Sequence, residues 1–365
     1  MEAIEQTFNG TASFGKKATC TISRNGDLIH RMYLQVDTPA VATGTSNNFR
    51  WLNWLGHVIV KNVELEIGGQ RIDKHYGDWL HIWNELTQSA GHQAGYANMV
   101  GNVDMLYRPV GTDTGSLHTS PRDAATAGTI PQTTLFIPLQ FWFCRNPGLA
   151  LPLIALQYHE VKINLEFRAL SDLCGVGTAV PSVTLESASL YVDYIYLDTD
   201  ERRRFAQVSH EYLIEQVQYS NALSVSGTST QHELRFNHPV KELVWTINGS
   251  TNGQGAQTDT TATDALLQLN GHDRFKRREG KYFTTVQRYQ HHSGSGNTGT
   301  SVPHVYSFAL KPEEHQPSGT CNFSRIDNAV LNLNHAATAG KLKVYAVNYN
   351  VLRIMSGMGG LAYSN

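Results

Sequence analysis

The chain has 365 residues, of which 41% are hydrophobic, 10% aromatic and 16% charged, and its formal net charge is −2. This length allows two large domains, and the apolar content excludes an intrinsically disordered chain. The charged fraction lies well below the ~25% of an average soluble domain, as expected for a subunit that hides much of its surface in contacts. The small net charge disfavours a role in coating nucleic acid or anionic membranes, because it supplies no attractive field.

Targeting segments and cysteine pairs are not recognisable in the sequence. The longest apolar stretch, Gly148–Leu156, is interrupted by Pro152 and is too short for a membrane-spanning helix. The acidic start, Met1–Glu5, lacks the basic and apolar regions of a secretory signal, so we expect no secretion. The four cysteines are Cys20, Cys144, Cys174 and Cys321. Because none of them forms a C-x-x-C pair, we expect buried free thiols and no zinc site.

Alternating apolar and polar residues predict many short strands along the chain. The first such segment, Thr19–Val36, surrounds Asn25-Gly26, a strong hairpin signal, and predicts a strand, a turn and a second strand. Later runs rich in Val, Ile, Tyr and Phe are Val58–Ile67, Leu135–Phe143, Val161–Phe167, Leu190–Leu197, Leu243–Ile247, Val305–Leu310, Val330–Leu333 and Leu342–Val351. The pattern indicates a sandwich or barrel and not alternating βαβ units.

Two segments have the pattern of a helix. The first has an apolar stripe at helical spacing, which consists of Trp79, Ile82, Trp83 and Leu86. Asp78 can cap this helix, whose tryptophans we expect to pack on a sheet. The second segment, Leu197–Gln207, carries acidic residues first and basic residues after, the order that a helix dipole favours. We expect it to be a short helix between two domains.

Four long polar segments rich in Gly, Thr, Ser and Ala are predicted as loops. They are roughly Ala90–Thr134, Asp172–Ser182, Gly249–Thr263 and His291–Ser301. Loops this long within a compact domain are usually functional or mobile. Because each joins strong strands, we expect them to project from one end of a β-scaffold.

A faint internal repeat divides the chain in two. Ile67–Gly69, followed by a basic segment and aromatic residues, resembles Leu269–Gly271, and the strands on either side of Pro147 resemble those on either side of Pro317. The closing strands also match, and the first copy carries the longer loop. An eight-stranded sandwich with long loops at one end is typical of a jelly roll. We therefore predict an all-β chain of two consecutive eight-stranded jelly rolls, at residues 1–198 and 211–365, joined by a short helical linker at 199–210.

The spacing of the histidines, serines and glycines matches none of the catalytic, cofactor-binding or metal-binding motifs considered. The sixteen histidines, among them His57, His75, His81, His92 and the loop pair His291-His292, show no H-x-H or H-E-x-x-H spacing. The chain also lacks a G-x-S-x-G nucleophile elbow, a Walker A loop and a strand-linked G-x-G-x-x-G. We therefore expect surface or core histidines, no cofactor, no metal and no enzymatic activity.

Three other local patterns have unremarkable interpretations. The glycine-rich Ser356–Gly360 has no helix after it to hold a phosphate, so we expect a flexible or tightly turning tail. The basic clusters Arg202–Arg204 and Lys276–Lys281 adjoin acidic residues, which favours solvated faces or inter-subunit salt bridges over nucleic-acid contact. Candidate N-glycosylation acceptors are Asn9, Asn248 and Asn322. Such short matches arise by chance, and without a secretory route we expect them to stay unmodified.

Six ordered blocks carry a resemblance to a known family. They are ISRNGDLI at 22–29, VELEIGGQRIDKHYGDW at 63–79, PGLALPLIALQYHEVKI at 147–163, HEYLIEQVQ at 210–218, QPSGTCNFSRIDNA at 316–329 and YNVLRIMSGMGGLAYSN at 349–365. Together they resemble the major capsid protein of nucleocytoplasmic large DNA viruses, most of all the chlorella-virus type. Members of that family carry an N-terminal arm before the first strand, whereas Met1 falls at the start of that strand here. We therefore transfer none of the contacts that this arm makes in the family to the present chain.

The resemblance implies a double jelly roll with outward-facing loops and a homotrimer whose six jelly rolls form a pseudo-hexagonal capsomer. It further implies an icosahedral shell over an inner membrane, assembled in the host cytoplasm. The implied partners are the chain itself, neighbouring capsomers and minor capsid proteins, with the membrane contacted only indirectly and no direct contact with nucleic acid.

Three hypotheses are therefore carried forward. The leading one is a structural capsid subunit, since two similar domains per chain give a trimer close to six-fold symmetry. The alternative is a minor capsid paralogue or a jelly-roll module that binds glycans or a receptor, since aromatic, His-rich loops can recognise sugars. A metal-dependent jelly-roll enzyme is the least favoured, because metal ligands at suitable spacing are missing.

Overall fold

Strands account for most of the regular structure of the computed structural model, which describes residues 1–43, 49–107, 128–175, 180–248, 262–294, 303–335 and 339–363. These residues form two compact units. The first unit consists of Met1–His81, His92–His210 and Ile354–Gly360, and the second of Ile82–Gly91, Glu211–Arg353 and the residues from Leu361 onward. Within the described ranges, none of the helices combines the length and hydropathy needed to cross a membrane.

Two large antiparallel sheets and two short strand pairs form the first unit. Its strands are β1 (Glu2–Gln6), β2 (Lys17–Thr21), β3 (Leu28–Thr38), β4 (Val41–Thr43), β5 (Arg50–Trp51), β6 (Val60–Ile67), β7 (Gln70–Tyr76), β8 (Gly128–Ile130), β9 (Thr133–Pro138), β10 (Leu151–Pro152), β11 (Val161–Phe167), β12 (Cys174–Gly175) and β13 (Ser187–Ile195). One sheet has the order β1-β13-β3-β10, with β9 also paired to β3, and the other has the order β2-β11-β6-β7. β4 pairs with β8, and β5 with β12.

Short helices lie between these strands. They are α1 (Leu55–Ile59), α2 (Gly77–Thr87), α3 (Ala90–Met99), α4 (Asp104–Tyr107), α5 (Trp142–Arg145) and α6 (Thr199–Gln207), with 3-10 turns at Pro147–Leu149, Leu153–Ala155 and Leu170–Asp172. The residues of α2 from Ile82 onward belong to the second unit.

Strand β11 shows why alternating residues form these sheets. Ile163 and Leu165 are buried, whereas Asn164 and Glu166 lie on the opposite, half-buried face. On that face the ammonium of Lys61 donates to Oε1 of Glu166 at 2.7 Å. A period of two directs every second side chain into the core, so a register shift of one residue would bury the polar set.

The second unit repeats the arrangement of the first. Its strands are β14 (His210–Ser226), β15 (Ser229–Glu233), β16 (Pro239–Asn248), β17 (Ala262–Leu269), β18 (His272–Asp273), β19 (Arg278–Glu279), β20 (His304–Ser307), β21 (Cys321–Asn322), β22 (Ala329–His335) and β23 (Ala339–Met355). The last residues of β23, from Ile354, and β24 (Met358–Leu361) up to Gly360 belong to the first unit. The sheets have the orders β14-β23-β16-β20 and β15-β22-β17-β18. A π-helical turn, Tyr282–Val286, leads into α7 (Gln287–His291), and a 3-10 turn covers Phe323–Arg325.

The strand order makes each unit a jelly roll. Counting the eight main strands of each unit in chain order, one sheet contains the first, eighth, third and sixth, and the other the second, seventh, fourth and fifth. The turns between the fourth and fifth strands match in detail. Gly68 and Gly69 have φ of 58° and 84°, and Asn270 and Gly271 have φ of 51° and 79°, as a type I′ hairpin requires. The predicted repeat and the predicted double jelly roll are confirmed.

The hairpin predicted around Asn25-Gly26 is wrong, because its two strands lie in different sheets. β2 pairs with β11, whereas β3 pairs with β13, β9 and β10. Gly26 does not adopt a positive φ. A Cβ at Gly26 would instead lie 2.8 Å from Cβ of Tyr194. A glycine required by the close approach of a neighbour therefore produced the same sequence signal as a type I′ turn.

The loop predicted over 90–134 is wrong at both of its described ends. Residues 90–107 contain α3 and α4, and residues 128–134 contain β8 and the start of β9. Gly91 and Gly95 lower the helix propensity of α3, but Tyr96 and Val100 are buried against Trp54, so tertiary packing overrides the weak local signal. Residues 108–127, and residues 176–179, 249–261 and 295–301 of the other predicted loops, lie outside the described residues.

Both predicted helices are confirmed, with one difference at a helix start. α2 begins at Gly77, so Asp78 lies inside the first turn, and its carboxylate accepts from Arg168 at 3.0 Å. α6 begins after Asp198, which forms a capping box with Glu201.

Candidate functional site

The described cysteines and histidines do not assemble into a metal site. All four cysteines are free; Cys20, Cys144 and Cys174 are buried as predicted, whereas Cys321 is half-buried. Burial raises the pKa of the Cys20 and Cys174 thiols to about 11, so both remain protonated at neutral pH. In the part of the chain that the structure describes, there is no group of three or more His, Cys, Asp or Glu arranged to hold a metal ion.

His57 belongs to a buried aromatic cluster in the first unit, which also contains Trp54, His81 and Tyr96. Its Nε2 shares a hydrogen bond of 2.7 Å with the hydroxyl of Tyr96, and its ring stacks on Trp54 with centroids 5.7 Å apart. Burial, followed by the neighbouring His81, holds the pKa of His57 well below its usual value. The imidazole is therefore neutral at pH 7 and acts as a packing element beneath α3.

His75 forms a second buried contact in the first unit. Its Nε2 lies 2.8 Å from Oδ2 of Asp73, and its ring stacks on Phe141 with centroids 4.7 Å apart. The stacking of His75 on Phe141 connects β7 to the segment before α5. Of the histidines singled out in the sequence, His57, His75 and His81 are therefore core residues of the first unit, whereas His92 is exposed.

A buried ionic cluster in the second unit was not predicted from the sequence. Nε2 of His292 lies 3.0 Å from Oε2 of Glu242, and Nδ1 lies 3.0 Å from Oε1 of Glu313. Ser293 donates to both oxygens of Glu313, at 2.9 and 2.6 Å. Burial alone would lower the pKa of His292, but the two carboxylates outweigh it and raise that pKa to about 9. His292 is therefore an imidazolium that ties the end of α7 to β16.

A second buried ion pair joins β14 to β16. The ammonium of Lys241 lies 2.6 Å from Oε1 of Glu215, and the two side chains are 0% and 5% exposed. The same ammonium lies 5.3 Å from the ring centroid of Tyr349. These groups are enclosed by protein, so they serve structural roles and do not meet a substrate.

A groove of about 540 Å³ lies on the first unit. Its lining comprises Ala155, Gln157, Tyr158, Ala206–Ser209 and Ile354–Gly357. Carboxylates, imidazoles, thiols and amines are missing from this lining. Its hydroxyls, those of Tyr158, Ser209 and Ser356, therefore have no carboxylate, imidazole or amine within the lining that could activate them. One wall is the tail, where Ser356 and Gly357 have φ of 53° and 80° and form the tight turn that the glycine-rich sequence allowed.

The candidate glycosylation acceptors occupy different positions. Asn9 is exposed and bridges the backbone of Thr19. Asn322 is exposed, and its Oδ1 accepts from the backbone N–H of Ser324 at 3.1 Å. Asn248 is the last residue of β16, and its side chain lies outside the described residues. That these three candidate acceptors stay unmodified remains a prediction.

The basic clusters are exposed, and each contains an ion pair. Arg202 binds Asp27 at 2.9 Å, and Arg277 binds Asp264. Arg278 stacks over Tyr282, with its guanidinium carbon 4.4 Å from the ring centroid.

Family models cover both jelly rolls. A model described as the major capsid protein N-terminus matches residues 1–198, and a model described as the large eukaryotic DNA virus major capsid protein matches residues 201–360. The chain belongs to this family of viral major capsid proteins. The family predicted from the six sequence blocks is confirmed.

Relatives of this capsid protein extend over the whole chain. The major capsid protein of Pyramimonas orientalis virus is 58% identical over 100% of this chain and 90% of its own length. That of Paramecium bursaria Chlorella virus 1 is 40% identical over 100% of this chain and 91% of its own length.

Solved structures share the fold of this capsid protein. PBCV-1 VP54, in a structure fitted into a cryo-EM reconstruction of the virophage Sputnik, has a TM-score of 0.81 at 38% identity and covers 100% of this chain and 96% of its own. The Faustovirus major capsid protein has a TM-score of 0.78 at 13% identity over 97% of this chain and 90% of its own, a likeness of fold alone.

Proposed function

We propose that three copies of this capsid protein associate into a pseudo-hexagonal capsomer and that such capsomers build the icosahedral shell of a large double-stranded DNA virus. The observation that carries the proposal is the repeated strand order in one chain of the capsid family. Two similar jelly rolls per chain supply six in a trimer, so a three-fold assembly packs almost as a six-fold unit. The break between the family matches at 198 and 201 supports domains at 1–198 and 211–365, joined by the linker 199–210.

The proposed role is structural and not catalytic. The buried His, Glu and Lys clusters stabilise strands, and the lining of the groove on the first unit contains no carboxylate, imidazole, thiol or amine. The proposed partners are other copies, neighbouring capsomers and minor capsid proteins in the virion, after assembly in the host cytoplasm. The net charge of −2 supports only indirect contact with an underlying membrane and none with the genome.

Native mass spectrometry and sedimentation velocity of the purified full chain test the proposal. We expect a trimer that persists on dilution into the nanomolar range and appears hexagonal in negative-stain electron micrographs. A chain that stays monomeric at every concentration contradicts it.

A glycan- or receptor-binding paralogue is the second candidate. The stacked rings of Tyr33 and Tyr191, with centroids 5.1 Å apart, favour it, because such rings can pack against a sugar. Binding of a glycan by monomeric protein on an array would support this role over shell formation.

A further inference from the structure

The outer face of the sheet β1-β13-β3-β9 carries an aromatic cluster that is partly exposed to solvent. Tyr33 and Tyr191 are cross-strand partners with rings parallel within 3°, and Phe136 packs edge-on against Tyr33 at 6.1 Å. Phe136 is 36% exposed. On the corresponding face of the second unit, Val244, Tyr345 and Val347 are almost fully buried. This face is therefore partly exposed in the first unit, whereas the equivalent face of the second unit is buried. We call the exposed face of the first unit the aromatic face.

The aromatic face is acidic. Glu5 on β1 is the cross-strand partner of Tyr191, Asp193 on β13 lies two residues beyond it, and Asp37 lies further along β3. Among the described residues of these strands, the guanidinium on this face is that of Arg31. Ser189 donates to Glu5 at 2.6 Å, which holds that carboxylate in place beside Tyr191. An apolar centre with an acidic rim requires a partner that presents an apolar side chain among cations.

A second surface of the same chain has these properties, and we call it the helix patch. Tyr289 on α7 is 90% exposed, and Leu310 is 74% exposed. His291 approaches the carbonyl of Leu310 through Nδ1, at 3.0 Å, so Leu310 lies beside the end of α7. Val286, which is also exposed, precedes Tyr289 by three residues and lies on the same side of the helix. A tyrosine this exposed within an apolar patch is typical of an interface anchor.

The backbone before Tyr289 supports a role in contact. The turn Tyr282–Val286 is π-helical, a rare conformation that redirects the side chains of the next turn and is frequent at functional sites. The segment that leads into it is basic: Lys276, Arg278 and Lys281 are exposed, against Glu279, outside the Arg277–Asp264 pair. The segment that precedes the helix patch in the chain therefore carries a charge opposite to that of the aromatic face.

We infer that the aromatic face of one copy receives the helix patch of a second copy, with Tyr289 packed against Tyr33, Tyr191 and Phe136. This inference rests on the proposed capsomer and names the surfaces that form it. Because the two surfaces differ and lie on different units of the chain, the contact is head-to-tail, as a cyclic trimer requires. Each copy then presents one aromatic face and one helix patch, and three such contacts close the ring.

Sedimentation velocity and native mass spectrometry of full-length variants test the inference. Tyr289→Ala and Tyr33→Ala each raise the concentration at which half of the trimer dissociates by at least about tenfold. Tyr158→Ala is the matched control, because this tyrosine is 76% exposed but lies in the groove of the first unit, outside both surfaces. It leaves the trimer unchanged, and circular dichroism of every variant establishes that the fold is intact.

Charge reversal distinguishes this contact from others. Asp193→Lys weakens the trimer, Lys281→Glu weakens it, and the double variant recovers at least part of the loss at low salt. Mixing Tyr289→Asp with Tyr33→Asp protein yields dimers without trimers, since such a pair of chains retains one intact contact.

The outcomes separate the inference from the function on which it rests. A wild-type monomer contradicts the capsomer itself. A wild-type trimer that survives Tyr289→Asp and Tyr33→Asp overturns the inference alone and leaves the aromatic face to another occupant, such as a sugar ring.

Discussion

His292 lies between two carboxylates, with its Nε2 3.0 Å from Oε2 of Glu242, and both of these side chains are almost fully buried. The two residues are separated by a β-strand, a hairpin and a helix in the sequence, so only the fold brings them together. A buried imidazolium is stable there because Glu242 and Glu313 offset its loss of hydration. The end of α7, which carries the exposed Tyr289, is therefore held to β16 by charge.

This pair predicts a loss of stability at alkaline pH. Because folding raises the pKa of His292 from 6.5 to about 9, its contribution is complete below about pH 6.5 and is lost as pH rises through 9. The shift corresponds to on the order of 3 kcal/mol. We expect the free energy of unfolding in urea to fall between pH 7 and pH 9.5, and His292→Gln to remove most of that fall.

The control for this prediction is His291→Gln. His291 lies next to His292 but is only half-buried. Its replacement should leave the fall in unfolding free energy between pH 7 and pH 9.5 as in the wild type. A His292→Gln variant that also keeps the wild-type fall would contradict the assignment.

The cluster around His57 predicts the opposite dependence, a loss of stability in acid. Burial and His81 lower the pKa of His57, so folding favours the neutral imidazole; its contribution is complete above about pH 6.5 and falls as pH decreases further. We expect amide hydrogen exchange in α3 to accelerate between pH 6.5 and pH 5 beyond the intrinsic rate change. His57→Gln should reduce this acceleration, whereas His92→Gln, at an exposed position on α3, should not.

Much of the fold could be predicted from the sequence because its signals are local. Period-two alternation in β11 and the matching turns at Gly69 and Gly271 depend on neighbouring residues, so the strands and the doubling of the jelly roll are visible in the sequence. The crossing between sheets at Gly26 was missed because it depends on the approach of Tyr194 from a distant strand.

The candidate surfaces and buried ionic clusters could not be predicted for the same reason. His292 follows a short helix and precedes a Gly/Ser segment, so its sequence context is that of a loop, and the only local signal was Lys241-Glu242 within an otherwise apolar strand. Tyr33 and Tyr191 become a stack only through the pairing of β3 with β13. Pairing of this kind is set by tertiary structure and not by propensity.

The equivalent turns of the two jelly rolls predict equal costs for equivalent substitutions. A Cβ at Gly69 or Gly271 would meet no atom within 4 Å, so only the positive φ opposes alanine at either position. We expect Gly69→Ala and Gly271→Ala each to cost about 1–2 kcal/mol in thermal unfolding. Gly68→Ala should cost more, because its Cβ would collide with the imidazole of His159. Similar values for all three would contradict this distinction.

The buried Lys241–Glu215 pair predicts a non-additive response to substitution. Lys241→Met leaves the carboxylate of Glu215 buried without its ammonium, which should cost about 3–5 kcal/mol of unfolding free energy. The double variant Lys241→Met, Glu215→Leu replaces both charges by apolar groups and should recover most of that loss. The matched control is Arg353→Met, because Arg353 binds Glu211 at 2.7 Å in the same unit but both side chains are more than half exposed. An exposed pair contributes less than about 1 kcal/mol, so this control should scarcely shift the urea transition. A double variant less stable than Lys241→Met would indicate that Glu215 is stabilised by groups other than Lys241.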